Sequence, residues 1–126
     1  MLTETRYHQD YSERVAEVKQ YIREHIDEPL NRDVLAAVAG FSIPHFHRIF
    51  KAQIGTNVVS YVRRVRMERA GRKLRMGAVD ITEVAISAGY NSHAAFSKAF
   101  KRQYGFSPSK FRELDCRAAT QLLRKG

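Results

Sequence analysis

Ser42-Ile-Pro-His-Phe-His-Arg-Ile-Phe-Lys-Ala-Gln-Ile-Gly55 returns fifty residues later as Ser92-His-Ala-Ala-Phe-Ser-Lys-Ala-Phe-Lys-Arg-Gln-Tyr-Gly105. Ser42/Ser92, Phe46/Phe96, Phe50/Phe100, Lys51/Lys101, Gln53/Gln103 and Gly55/Gly105 are identical. Arg48/Lys98 keep their charge, and Tyr61/Phe111 carry the match further. Upstream the offset becomes 49, pairing Leu35/Val84, Ala36/Ala85, Ala39/Ala88, Gly40/Gly89 and Phe41/Tyr90. The extra residue is Asn91, placed in a turn with the pattern intact on both sides. That is the behaviour of a duplicated structural unit.

Each copy reads as a helix, a glycine turn and a second helix. Asn31 is suited to cap the first helix, and Val34, Leu35 and Val38 have helical spacing. Gly40 ends it, because glycine takes a positive-φ position cheaply. Ser42 can cap the next helix, with Pro44 in its first turn. In the second copy Asp80 and Glu83 resemble a capping box, and Ser92 restarts the chain after Gly89-Tyr90-Asn91. The second helix of copy one places Ile43, Phe46, Ile49 and Phe50 on an apolar stripe. Pro44, His47, Arg48 and Lys51 are left outward. In copy two Phe96, Ala99 and Phe100 point inward, leaving His93, Ala94, Ser97, Lys98, Lys101 and Arg102 outward. Such faces suit a DNA major groove, where Arg or Lys reads guanine and small apolar groups meet thymine methyls. A solvated basic surface is the alternative for one helix alone; its repetition in the same context favours DNA.

The charge supports an anionic partner. Residues 1–50 hold six Lys/Arg and eight Asp/Glu, a net of −2. Residues 51–126 hold sixteen and five, a net of +11, giving +9 overall. A membrane surface would want a basic helix with an exposed apolar face, whereas these apolar faces are committed to packing. No aromatic RNA-binding strand motif is present. A hydrophobic content of 44% excludes general disorder, and no apolar run approaches the ~20 residues of a membrane span. No signal-peptide pattern opens the chain. The single Cys116 can form no internal disulfide, which fits a reducing, cytoplasmic setting.

Met1 to Asp10 lacks sustained periodicity and reads as a flexible lead-in. From Tyr11 a helix is expected through Val15, Val18, Ile22 and Ile26, ended by Asp27-Glu28-Pro29. It lids a first subdomain over residues 11–56. Asn57 then caps a linker helix to about Met76, with Val58, Tyr61, Val62, Val65, Ala70 and Leu74 packing. Arg63, Arg64, Arg66, Arg69, Arg72, Lys73 and Arg75 surround the rest, as phosphate contacts or as solvated charge. About nineteen residues make a rod of roughly 28 Å. Two recognition helices in successive major grooves must lie about 34 Å apart, a separation that such a connector could set. Met76-Gly77-Ala78 breaks the rod, and residues 77–126 form the second subdomain. Ser107-Pro108 starts a helix continuing through Phe111, Leu114, Ala118, Leu122 and Leu123. Arg124-Lys125-Gly126 carries no stop signal, so the end reads as cut. The fold class is all-α.

From Pro29 to Arg112 the chain resembles the AraC/XylS family of bacterial transcription regulators. The resemblance lies in Ala39-Gly40-Phe41-Ser42, His45-Phe46-His47-Arg48-Ile49-Phe50-Lys51, Tyr61-Val62-Arg63, Arg66-Met67-Glu68-Arg69-Ala70 and Ala88-Gly89-Tyr90-Asn91-Ser92. Its most specific part is Phe96-Ser97-Lys98-Ala99-Phe100-Lys101 with Gly105-Phe106-Ser107-Pro108 and Phe111-Arg112. It implies two helix-turn-helix subdomains joined by a linker helix, about seven helices in all. By position it implies base contacts from Pro44, His47 and Arg48, and from His93, Ala94, Ser97 and Lys98. Lys51, Lys101 and Arg102 would hold phosphates, with the helix starts at Ser42 and Ser92. Related sequences often have Pro and then an aromatic after the capping Ser; Ile43-Pro44 departs from this. Pro44 and Ala94 cannot hydrogen-bond a base but can meet thymine methyls. The wording also resembles members with an N-terminal DNA-binding half and a following GyrI-like small-molecule domain. An effector is therefore expected only with a further domain, and RNA polymerase is a partner that the resemblance implies.

Other functions fit less well. His45 and His47 lie about 200° apart around a helix, which does not suit joint metal ligation. There is no Gly-rich phosphate loop after a strand and no nucleophile elbow, so neither an enzyme nor a cofactor is expected. A non-specific basic DNA-binding or helical interaction module is the remaining alternative.

Overall fold

The computed structural model describes the backbone of residues 2–76 and 80–125 and the side chains of 11–76 and 80–124. Among the described residues the regular structure is eight helices, all-α as expected. They are α1 (Leu2–Glu24), α2 (Arg32–Ala39), α3 (Ile43–Ile54) and α4 (Val58–Leu74), then α5 (Ile81–Ser87), α6 (His93–Tyr104), α7 (Pro108–Glu113) and α8 (Cys116–Lys125). The chain divides into two compact units, Met1–Arg63 and Arg64–Gly126. The boundary falls inside α4, within the region read as a linker, so each half of that helix is described with its own unit.

In the first unit α1 supplies Val15, Val18 and Ile22, joined by Ile26 just beyond its end, all buried. They share the core with Leu35, Ala36 and Ala39 of α2 and Phe46, Ile49 and Phe50 of α3. Phe50 meets Tyr61 edge-on at 5.5 Å, which brings the first turns of α4 into the same core. At the solvent edge Tyr11, Phe41 and His45 form an aromatic cluster, with 5.5 Å between the Tyr11 and Phe41 rings. The Arg14 guanidinium caps that cluster, 4.9 Å from the Phe41 ring centre. Two expectations change here. The α1 backbone is helical from Leu2, not from Tyr11. Residues 2–10 contain neither Gly nor Pro, and extending a helix nucleated by a packed segment costs little. Ile43 leaves the predicted apolar stripe and stays 40% exposed. It is the first residue of α3, and the stripe becomes core only from Phe46 onward.

The two copies end their helices alike. Gly40 N–H donates to the Ala37 carbonyl and Phe41 N–H to the Ala36 carbonyl; Gly89 and Tyr90 make the same pair with Ile86 and Ala85. This is the Schellman arrangement, and it requires φ of +75° at Gly40 and +93° at Gly89. The second helices close through one bond each, from Gly55 N–H to Lys51 O and from Gly105 N–H to Lys101 O. The predicted N-caps at Asn31 and Asn57 form, each accepting a backbone N–H at 2.9 Å. Asp80 caps α5 through the Thr82 N–H. Ser92 and Ser107 accept from Ala95 and Lys110. Ser42 has the N-cap backbone conformation, but its hydroxyl makes no cap bond.

The second unit is built on stacked aromatics. Phe100 lies 5.5 Å from Phe96, 4.8 Å from Tyr104 and 5.2 Å from Phe111, ring centre to ring centre. Met67, Ala70 and Leu74 of α4, Val84, Ala85 and Ala88, and Ala119 of α8 complete this core. Gly71 lets α8 close on α4: a Cβ there would stand 2.6 Å from Leu123 Cδ2. The break expected around Met76-Gly77-Ala78 lies mostly outside the described residues; α4 itself ends at Leu74. The terminal helix expected to run from Ser107-Pro108 to Leu123 is instead two helices. Leu114 is extended (φ −66°, ψ 152°), and the Asp115 carboxylate starts α8 by accepting the Ala118 N–H at 2.7 Å. Among the described residues this split makes eight helices, close to the seven or so expected.

Burial pushes the Tyr104 hydroxyl far above its ordinary value of 10.0, and the Glu68 carboxylate acts in the same direction. Folded Tyr104 stays protonated at a pH where the unfolded chain has ionised. This group therefore leaves stability unchanged below about pH 10 and lowers it as pH rises beyond that. Denaturation from about pH 8 to about pH 11.5 should show Tyr104→Phe losing less stability than wild type above pH 10. Equal slopes for both proteins would contradict this.

Candidate nucleic-acid interface

The second helix of each helix-turn-helix, α3 in one and α6 in the other, carries the residues read as base contacts in two columns. On α3 the pairs Ile43/His47 and Pro44/Arg48 are four apart and lie side by side. On α6 the corresponding pairs are His93/Ser97 and Ala94/Lys98. Pro44, Arg48, His93, Ala94 and Lys98 are exposed, while His47 and Ser97 are half-buried at the base of each patch. Lys51, Lys101 and Arg102 are exposed one turn further along, and Ser42 and Ser92 are exposed at the helix starts. Each group of predicted residues therefore sits on one face of one helix within its own unit. The opposite faces are fully committed: Phe46, Ile49 and Phe50 in α3, and Phe96, Phe100 and Tyr104 in α6, are buried.

The two starts differ chemically. Pro44 has no N–H, and the Ser42 hydroxyl takes no helix N–H. At α6 the Ser92 oxygen is already engaged by Ala95 N–H at 3.1 Å. The longer turn, with Asn91, gives Ser92 an extended φ of −150°, against −66° for Ser42.

The basic residues of α4 do not act as one group. Arg63 and Arg72 are exposed, and Arg72 lies 3.9 Å from Glu68. Arg75 is structural: its guanidinium donates to the carbonyls of Arg112 and Leu114, satisfying the end of α7. That role was not readable from the helix, where Arg75 looked like one more surface charge. Among the other histidines, His25 stacks on Tyr21 at 4.0 Å and bonds the Tyr21 carbonyl through Nδ1. His45 belongs to the Tyr11–Phe41 cluster. Cys116 is exposed at the start of α8. Among the described residues no group of three His, Cys, Asp or Glu could hold a metal. None of the described helices is long and apolar enough to cross a membrane.

Two helix-turn-helix units with matching glycine C-caps and a basic, exposed face on each second helix define a tandem helix-turn-helix domain. Comparison with known proteins agrees: a helix-turn-helix domain family matches residues 35–114. SoxS of Escherichia coli K12, a regulatory protein, is 37% identical over 92 residues, covering 73% of this chain and 86% of SoxS. The right origin-binding protein of the same organism is 34% identical over 92 residues. The match spans only 32% of that longer relative. The DNA-binding domain of the transcription factor AdpA, solved with a target DNA, superposes with a TM-score of 0.69. The identity is 33%, and 78% of this chain and 88% of that one are covered. An AraC-type regulator from Chromobacterium violaceum shares the fold, with a TM-score of 0.76 over 91% of this chain and 96% of its own at 24% identity. The chain belongs to the AraC/XylS family of transcription regulators, as a sequence-specific DNA-binding domain.

Proposed function

We propose that this domain activates transcription by inserting α3 and α6 into successive major grooves of promoter DNA. In this reading residues 57–76 link two reading subdomains within one chain. One observation carries it: equivalent positions of both second helices remain at the surface, while their aromatic residues are buried. Arg48 and Lys98 donate to guanine O6 and N7, and His47, His93 and Ser97 hydrogen-bond base edges or nearby phosphates. Pro44 and Ala94 meet thymine methyls. Lys51, Lys101, Arg102 and the helix starts at Ser42 and Ser92 hold phosphates and set the register. The protein acts in the bacterial cytoplasm without catalysis, and RNA polymerase is its partner at the promoter. A small-molecule effector enters only if the native protein has a further domain.

The charge distribution alone would also suit a non-specific basic module, so the test must separate the two. Selection from a random duplex pool, followed by titration at two salt concentrations, does this. The winner should contain two short boxes about one helical turn apart and bind tighter than a scrambled duplex. Equal affinity for both duplexes, with the same steep salt slope, would leave only electrostatic binding.

A further inference from the structure

Ile43 is out of place for a core residue and for an ordinary surface residue. Helical spacing places it on the apolar stripe of α3, yet it is 40% exposed while Phe46, Ile49 and Phe50 are at most 8% exposed. The other large exposed apolar residues described, Val59, Met76, Ile86 and Phe106, lie outside α3 and α6. Ile43 alone of these belongs to a recognition face, one turn before His47 and adjacent to exposed Pro44. The internal repeat points the same way. At the offset of fifty, the α6 quartet His93, Ala94, Ser97 and Lys98 corresponds to Ile43, Pro44, His47 and Arg48. The family resemblance implies base contacts at three of those four positions in α3, Pro44, His47 and Arg48, and none at the first.

We infer that Ile43 is a specificity-determining residue that reads a thymine 5-methyl group in the major groove. The inference rests on the proposed reading of α3 as a major-groove helix. An isoleucine side chain offers no donor or acceptor, so it gains nothing from guanine, adenine or cytosine edges. Thymine alone carries a methyl group on its major-groove edge, and burying that methyl against Ile43 removes two apolar surfaces from water. Pro44 beside it adds a second apolar surface and no N–H. The tip of α3 is therefore an apolar corner on a basic face. At the matching tip of α6, His93 can donate or accept. The two tips thus read different chemistry at the same structural position.

The test replaces each thymine of the selected site, one at a time, by deoxyuridine, which removes only the methyl group. Wild-type protein should lose about fourfold in affinity at one thymine of the box bound by α3, the factor that one buried methyl corresponds to. Ile43→Ala should abolish the sensitivity at that position and leave the melting temperature unchanged, because the side chain is outside the core. His93→Ala should leave the sensitivity intact. A wild-type profile without a sensitive thymine in that box overturns the inference. So does a sensitivity that survives Ile43→Ala but disappears in Pro44→Gly, which assigns the methyl to Pro44. A selection that returns no preferred site overturns the groove reading itself, and this inference with it.

Discussion

Phe100→Ala is expected to cost the second unit about 3–5 kcal/mol of stability. Phe100 is fully buried and is the hub of the aromatic stack, with Phe96, Tyr104 and Phe111 all within 5.5 Å of its ring centre. Its neighbours Phe96 and Phe111 are themselves fully buried, so the space is refilled only in part. Against a total of roughly 5–15 kcal/mol for a small protein, the loss is a large share of the margin. Urea denaturation would measure the loss, and hydrogen exchange would place it, with the amides of α5–α8 losing protection. A cost under about 1 kcal/mol would mean that the stack is not the core of this unit.

Arg48→Ala should weaken binding to the selected site by about 1–3 kcal/mol and relax the preference at one base pair. The exposed guanidinium of Arg48 supplies a planar pair of donors that fits guanine O6 and N7 together. Lys101→Ala is the contrast. An exposed ammonium on a phosphate carries no sequence information, so selected and random duplexes should weaken alike, and the salt slope should fall by about 1. Titrating both variants on both duplexes decides the matter. If each loses equally on selected and random DNA, Arg48 is not a base reader.

Much of this was legible in the residues because the chain states its unit twice. The caps at Asn31, Asn57, Ser92 and Ser107 and the glycine stops are local chemistry, and local chemistry survives in sequence. The exposed face of α6 followed from placing the buried phenylalanines. The departures have physical reasons. Helical spacing assigns a side to Ile43, but spacing does not say where along the axis the core stops. Leu114-Asp115 sits inside a continuing apolar period, so a break made by one carboxylate cap was hidden. Arg75 finds its carbonyl partner 37 residues away, which no local pattern reveals. The start of α1 depends on helix propagation, which has no apolar signature.

The two surface quartets have a consequence for the DNA. Ile43, Pro44, His47 and Arg48 match His93, Ala94, Ser97 and Lys98 in position but differ from them at every residue. On the proposed reading, Ile43 and His93 ask for different bases at matching positions, so the preferred site is not a palindrome. A single chain then binds in one orientation only, and inverting the site turns the whole protein around relative to the start of transcription. On that reading the divergence of the two copies supplies a polarity that a symmetric dimer lacks.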